Sequence, residues 1–223
     1  MKSGKIIYLT KELLHNRNQA AKVIGSIAEE LKKGSLAVIP TDTAYALAAD
    51  ATNEESVKKV FALKKRDESK PIPIVVSDLY MIKEYAEITP LAEHLCHAFM
   101  PGPLTLIVPQ KQGLAKSLSS KGVAFRIPEN DFTRAIISEL GVPVTSTSAN
   151  LSGDAPLYTS EDVLELFRNK VELILDAGNL PPTPPSTIID LMDGKQEIIR
   201  KGPISEEDIL EEINEFNTSA VKL

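Results

Sequence analysis

Apolar and polar positions along this chain follow two periods, and the switches between them mark strands alternating with helices for most of its length. Residues 6–9 read as a first strand, after which Ala20, Ile24, Ile27, Ala28 and Leu31 share one face of a helix that Gly34 can end. The unbroken apolar run 36–39 predicts a buried strand, Pro40-Thr41-Asp42-Thr43 a polar turn, and residues 45–49 a return to apolar chain. Asn53 is placed to cap a helix that carries Val57, Val60 and Phe61 and ends in Lys64, Lys65 and Arg66. Residues 72–76 predict a short strand, Pro90 opens a helix ending near Phe99, and Pro101-Gly102-Pro103 forces a turn into a strand over 104–108. Strands follow at 123–127 and 142–147, separated by a helix over Asp131–Leu140 that Gly141 closes; the second empties into Ser148-Ala149-Asn150. Ser160, Glu161 and Asp162 start another helix, 171–175 reads as a strand, and 180–185 is a stiff proline-rich loop. Residues 188–191 and Glu197–Arg200 complete the strands, and Ser205 with Asp208 caps the last helix.

This order predicts an α/β fold: a single domain with a twisted mixed sheet and flanking helices, spanning 1–216, with 217–223 a frayed C-terminal tail. A length of 223 residues with 43% hydrophobic side chains suits one full core, and no internal repeat or low-complexity block divides the chain. The net charge of -6 speaks against a protein that coats nucleic acid through its overall field, so an anion site must be a local basic cluster. The lone cysteine, Cys96, lies in an apolar segment and reads as a core filler in a reducing compartment, so the expected location is cytoplasmic. Lys11, Glu12 and His15 interrupt any signal-peptide core, no apolar run nears the roughly 20 residues that cross a bilayer, and no lipidation motif occurs; no membrane role is expected.

Neither a Gly-x-x-x-x-Gly-Lys-Ser/Thr loop nor a Gly-x-Gly-x-x-Gly turn occurs, so a nucleotide would need another geometry. His94 and His97 are three apart on a helix with no second cluster of ligands, which reads as helix surface; no metal ligands are expected. No Ser/His or Cys/His pair stands at readable spacing, which disfavours nucleophilic catalysis. Polar clusters do fall at strand ends, where α/β sheets bind ligands. They are Pro40-Thr41-Asp42-Thr43, Lys64-Lys65-Arg66, Lys70-Pro71, Pro101-Gly102-Pro103-Leu104-Thr105, Phe125-Arg126-Ile127-Pro128, Ser148-Ala149-Asn150-Leu151-Ser152-Gly153, Ser186-Thr187 and Arg200. Taken singly, Lys64 and Arg66 could merely complement a helix dipole, and Ser148-Ala149-Asn150 could be an ordinary turn.

In this order and spacing the set resembles the YrdC family of threonylcarbamoyl-adenylate synthases, in its short branch. The resemblance implies a YrdC-like fold and a reaction that joins L-threonine, bicarbonate and ATP into threonylcarbamoyl-adenylate and pyrophosphate. It also implies magnesium accompanying ATP, and tRNA or a tRNA-modifying threonylcarbamoyl transferase as the partner that uses the product beside the anticodon. Carried over residue by residue, Thr43, Arg126, Ser148 and Ser186 resemble threonine contacts. Lys64, Arg66, Lys70, Gly122, Asn150 and Arg200 resemble nucleotide contacts, and no acid, base or nucleophile is implied. The chain departs from the family pattern at Ala46, Val75, Ala177 and Thr183, in the stretch 154–158, and in Arg200-Lys201-Gly202. The alternative reading is a non-catalytic paralogue that binds nucleotide or RNA in a basic concavity. A carbamoyl-transfer module like that of hydrogenase-maturation proteins ranks behind it, for want of their zinc-finger and acylphosphatase segments.

Overall fold

The computed structural model describes residues 4–119 and 122–220. In chain order its elements are β1 (Lys5–Tyr8), α1 (Lys11–His15), α2 (Arg17–Lys32), β2 (Ala37–Pro40), β3 (Tyr45–Ala48), α3 (Glu54–Lys64), β4 (Ile74–Val75), α4 (Leu79–Tyr85) and α5 (Pro90–Phe99). There follow β5 (Leu104–Pro109), β6 (Gly122–Arg126), α6 (Asp131–Leu140), β7 (Val144–Thr145), β8 (Thr147–Ser148), α7 (Ser160–Phe167), β9 (Leu173–Asp176), β10 (Thr187–Asp190), β11 (Glu197–Arg200) and α8 (Glu206–Ala220).

Capping side chains explain where the helices begin. Asn53 Oδ1 accepts from the Glu55 and Ser56 amides at the start of α3, and Thr89 caps α5 with Pro90 in its first turn. Ser205 and Asp208 form a reciprocal capping box before α8. That helix continues through Ala220, so residues 217–220 are helical rather than the frayed tail expected; 221–223 lie outside the described residues. The short helices α1 and α4 are additions that pattern alone did not mark. Each buries a single residue, Leu13 and Ile82, which is too little for a helical period to register.

The mixed α/β arrangement is present, with the strands shared between two mixed sheets. One has the order β1-β9-β2-β3-β8 and the other β11-β10-β5-β6-β4-β7. In the first, β2 is buried along its whole length because both of its faces are covered. Ala37 and Ile39, with Ala46 and Ala48 from β3, pack against Ile27 and Leu31 of α2 and Ile136 and Ile137 of α6. Val38 and Leu47 point the other way, into the larger core with Val60 and Phe61 of α3. At about 25 cal/mol per Å² of apolar surface, these two layers supply the main stabilisation of the fold.

The strand expected over 142–147 divides at Ser146. Residues Val144–Thr145 pair with β4 in the second sheet, and Thr147–Ser148 pair with β3 in the first. The amide of Ser146 donates to Pro73 O at 2.8 Å, so the corner is itself bonded. This crossing joins the two sheets and delivers Ser148 to the space between them.

Gly202 fixes the approach of the chain after β11 to the chain before β10. A Cβ at Gly202 would stand 2.7 Å from the Ser186 carbonyl carbon and closer still to Pro185 O and Thr187 N, all of them backbone atoms that cannot swing aside. Gly202→Ala is therefore expected to lower unfolding stability by about 1–3 kcal/mol. Urea denaturation monitored by circular dichroism measures this, and an unchanged midpoint would show that the close packing is not required.

Candidate active site

Side-chain alternation in the second sheet decides what faces the space between the sheets. Leu104, Leu106, Val123 and Phe125 enter the core, so Thr105, Ile107, Ala124 and Arg126 point to the opposite face. There they line a cavity of about 390 Å³. Ser186, Ile188 and Arg200 join them from β10 and β11, and Thr41, Thr43, Ala46 and Ser148 close it from the other sheet. Tyr158, Thr183 and Pro185 roof it from the proline-rich side.

The Pro-Thr-Asp-Thr turn is organised by Thr41. Its Oγ1 accepts from the Thr43 and Ala44 amides at 3.2 Å and donates to Ala44 O at 2.7 Å, which holds Asp42 and Thr43 under Arg126. Arg126 Nη1 donates to both Asp42 carboxylate oxygens at 2.7 Å, and Nη2 donates to Thr43 Oγ1 at 3.1 Å. Both partners of the ion pair are nearly buried. A guanidinium carries five N–H donors, so this arrangement leaves about two for a ligand.

Arg66 follows the end of α3, which Lys65 terminates in the left-handed conformation at φ 50°. Its Nε donates to Lys70 O at 3.1 Å and its Nη2 to Pro71 O at 2.9 Å. Arg200 donates from Nε to Ser186 O at 3.0 Å and from Nη2 to Ser186 Oγ at 3.1 Å. Burial lowers the pKa of Arg66; burial and then the charge of Arg126 lower that of Arg200. Both remain cations at neutral pH. Among the described residues the cavity wall contains no carboxylate, and neither Arg66 nor Arg200 is ion-paired.

Six of the ten residues singled out from sequence thus meet in one cavity: Thr43, Arg66, Arg126, Ser148, Ser186 and Arg200. Lys64, Lys70, Gly122 and Asn150 do not line it. Lys64 is buried beneath the Ser148-Ala149-Asn150 turn, where its Nζ donates to Ser148 O, Asn150 O and Asn150 Oδ1. Asn150 Oδ1 also accepts from Ser148 Oγ at 2.7 Å, and its Nδ2 donates to Asp154 O. The two side chains therefore shape the turn that presents Ser148. Lys70 is exposed, and its carbonyl, rather than its ammonium, engages Arg66. Gly122 opens β6 at the end far from Arg126, and a Cβ there would press on Met192 Sδ at 2.8 Å, so packing accounts for that glycine.

Sequence reasoning passed over Asp42, although it lies inside a motif already marked. A carboxylate between two threonines in a turn after a buried strand was the available signal, but its partner stands 84 positions away. Cys96 is buried in the core, and burial pushes its thiol up to about 12, which withholds the thiolate. His94 Nε2 lies 2.8 Å from Glu212 Oε2 where α5 packs on α8, and it is not part of the cavity wall. Among the described residues no group of three or more His, Cys, Asp or Glu is placed to hold a metal, and no helix is long and apolar enough to cross a membrane.

Two outcomes follow from this geometry. Asp42→Ala strips a buried guanidinium of its counter-charge and is expected to cost about 3–5 kcal/mol of stability in denaturant titrations. An effect below about 1 kcal/mol would mean that the pair is solvated like a surface bridge. Burial, reinforced by the charge of Arg66, pushes the Lys64 ammonium down to about 8. Above that pH the folded chain binds fewer protons than the unfolded one, so stability carried by this group rises with pH from about 8 up to the ordinary lysine range. Nitrogen-resolved NMR should place the Lys64 midpoint near 8, and a midpoint like that of an exposed lysine would mean that the three acceptors outweigh burial.

Comparison with known proteins finds relatives over most of the chain. The Sua5/YciO/YrdC family profile, described as "Telomere recombination", matches residues 29–202. A protein of Methanocaldococcus jannaschii, named provisionally as a threonylcarbamoyl-AMP synthase, is 36% identical over 85% of this chain and 90% of its own length. The threonylcarbamoyl-AMP synthase of Bacillus subtilis is 31% identical over 90% of this chain, which spans 58% of that longer protein. The crystal structure of Pyrococcus abyssi Sua5 complexed with L-threonine superposes with a TM-score of 0.84 at 30% identity, covering 94% of this chain and 60% of that one. With most of its length matched in profile and in relatives above 30% identity, the chain belongs to the Sua5/YciO/YrdC family.

Proposed function

We propose that this protein is an L-threonylcarbamoyladenylate synthase, which joins L-threonine, bicarbonate or CO2, and ATP into threonylcarbamoyl-adenylate and pyrophosphate. The observation that carries this reading is the cavity itself: three guanidinium groups and several hydroxyls face one carboxylate-free space. Such a wall suits a polyanion beside a small zwitterion that bears its own hydroxyl. Relatives that match most of this chain are named for the same reaction.

In this reading the two free donors of Arg126 hold the amino acid carboxylate, with Thr43, Ser148 and Ser186 around it. Arg66 and Arg200 supply counter-charge to the triphosphate, and the exposed Lys70 ammonium adds to it. Lys64 and Asn150 act indirectly, through the turn they shape to present Ser148. The amine of threonine takes up CO2 to give a carbamate and a released proton. A carbamate oxygen then attacks the α-phosphorus, and the bond to the departing pyrophosphate breaks. The cavity offers no acid-base dyad, so the rate comes from alignment and preorganised positive charge. Among the described residues no side-chain group forms a resident metal site, and magnesium would enter as a companion of the triphosphate, held by its oxygens. The reading places the enzyme in the cytoplasm, handing its product to a transferase that modifies tRNA.

Pyrophosphate release, with each substrate omitted in turn, tests the proposal. Release should require threonine, bicarbonate and ATP together, and release that ignores threonine would overturn it. Arg66→Ala should weaken ATP binding roughly ten- to a hundredfold, as expected for a lost charge-assisted contact, and leave threonine binding nearly unchanged. Arg126→Lys keeps a cation on Asp42 but loses the planar fork, and should mainly raise the KM for threonine.

A further inference from the structure

Thr105 ends a motif whose other residues serve to turn the chain. The amide of Gly102 donates to Ile127 O, and that of Thr187 donates to Pro103 O, each at 2.9 Å. The first bond extends the pairing of β5 with β6, and the second begins the parallel pairing of β5 with β10, in which Thr105 lies opposite Ile188. Ser186, just before β10, is pinned on its other side by the Gly202 backbone. The two hydroxyls are thereby brought to 2.7 Å, with Thr105 3% and Ser186 6% exposed, and both line the cavity.

The protons can be counted. Ser186 Oγ accepts from Arg200 Nη2, and a guanidinium only donates. Two hydroxyls carry two hydrogens, and their mutual contact uses one. If Thr105 donates to Ser186, the Ser186 hydrogen is left over; if Ser186 donates to Thr105, the Thr105 hydrogen is left over. Among the described residues no other acceptor bonds to either hydroxyl, so the remaining hydrogen has the cavity as its outlet. Leaving a buried donor unused is costly, and a ligand oxygen relieves the cost. The antiparallel register of β5 with β6 pairs Leu106 with Phe125, and one step further along that register sets Thr105 beside Arg126.

Resting on the function proposed above, we infer that Thr105 and Ser186 form a hydroxyl pair presenting a single donor to an anionic oxygen of the amino-acid substrate. Arg200 donates to Ser186 from one side and can take no hydrogen from it, and Arg126 holds the same substrate from the neighbouring strand. Thr105 is thereby a further determinant of amino-acid binding, and Arg200 touches both halves of the site through Ser186.

Thr105→Val keeps the shape and removes the hydroxyl, whereas Thr105→Ser keeps the hydroxyl and removes the methyl. Calorimetry with L-threonine and, separately, with ATP on the full chain reads both halves, and melting curves report the fold. Thr105→Val is expected to weaken threonine binding about three- to tenfold while ATP affinity and melting hold, and Thr105→Ser is expected to restore it. Equal threonine affinity in wild type and Thr105→Val overturns the pair, as does an equal loss for ATP, or a Thr105→Ser variant as weak as Thr105→Val. Those results leave the synthase reading standing, whereas a wild-type chain that binds no threonine removes both.

Discussion

Three guanidinium groups facing one small cavity repel one another, and the surrounding structure is arranged to hold them there. Among the described residues Arg126 alone of the three has a carboxylate partner, Asp42, and that carboxylate is not part of the cavity wall. Arg66 and Arg200 rest on carbonyl and hydroxyl oxygens, which satisfy donors without cancelling charge. Burial makes both easier to deprotonate than a free arginine, and neither does so at physiological pH. The unspent charge is what an entering anion neutralises, so the cost of burying cations becomes affinity for a phosphate or carboxylate.

Each structural device around the cavity serves that placement. Left-handed Lys65 ends α3 so that Arg66 leaves the helix sideways instead of continuing its face. The two-residue period of β5 and β6 sends Leu106 and Phe125 to the core and Thr105 and Arg126 to the cavity; a slip of one residue would exchange them. Lys64 spends its charge on three oxygens of the turn carrying Ser148, which makes it a cation of the scaffold beside the cations of the site. Sequence cannot separate these two kinds of cation, because Lys64 and Arg66 stand two apart in one basic run.

The elements were legible where a cap or stop signal bounded a longer apolar period, as at Asn53, Pro90, Gly141 and Ser205, whereas the caps Thr10 and Asp78 stand before helices too short for a period and went unmarked. The division of residues 142–147 between two sheets was not, since an apolar run ending in polar residues reads as one strand and nothing local marks Ser146 as a corner. The convergence of Thr43, Arg66, Arg126, Ser148, Ser186 and Arg200 was legible only through the joint order of the motifs, for no pair among them has a spacing that periodicity interprets. Asp42 and Thr105 were harder still. Each matters through a partner more than 80 positions away, and pairings of that range are set by sheet topology.

The substitutions that distinguish this chain from the family pattern bear on whether the cavity works or merely persists. Ala46 and Val75 both line it, yet about 390 Å³ remains, within the usual range for small-molecule sites. Ala177 is outside the wall, its amide donating to Tyr45 Oη at 2.9 Å, and Thr183 contributes to the roof with its carbonyl held by Tyr158. A paralogue that only carried RNA would gain from cations spread along an open track, whereas here they converge on one cavity on a chain of net charge -6. A paralogue that bound nucleotide alone would have no use for a second cluster of hydroxyls beside Arg126. The chain keeps Thr43, Ser148 and Ser186 in that wall beside three guanidinium groups, with Asp42 paired to Arg126, a furnishing that fits the two-ligand reading proposed above better than it fits either paralogue.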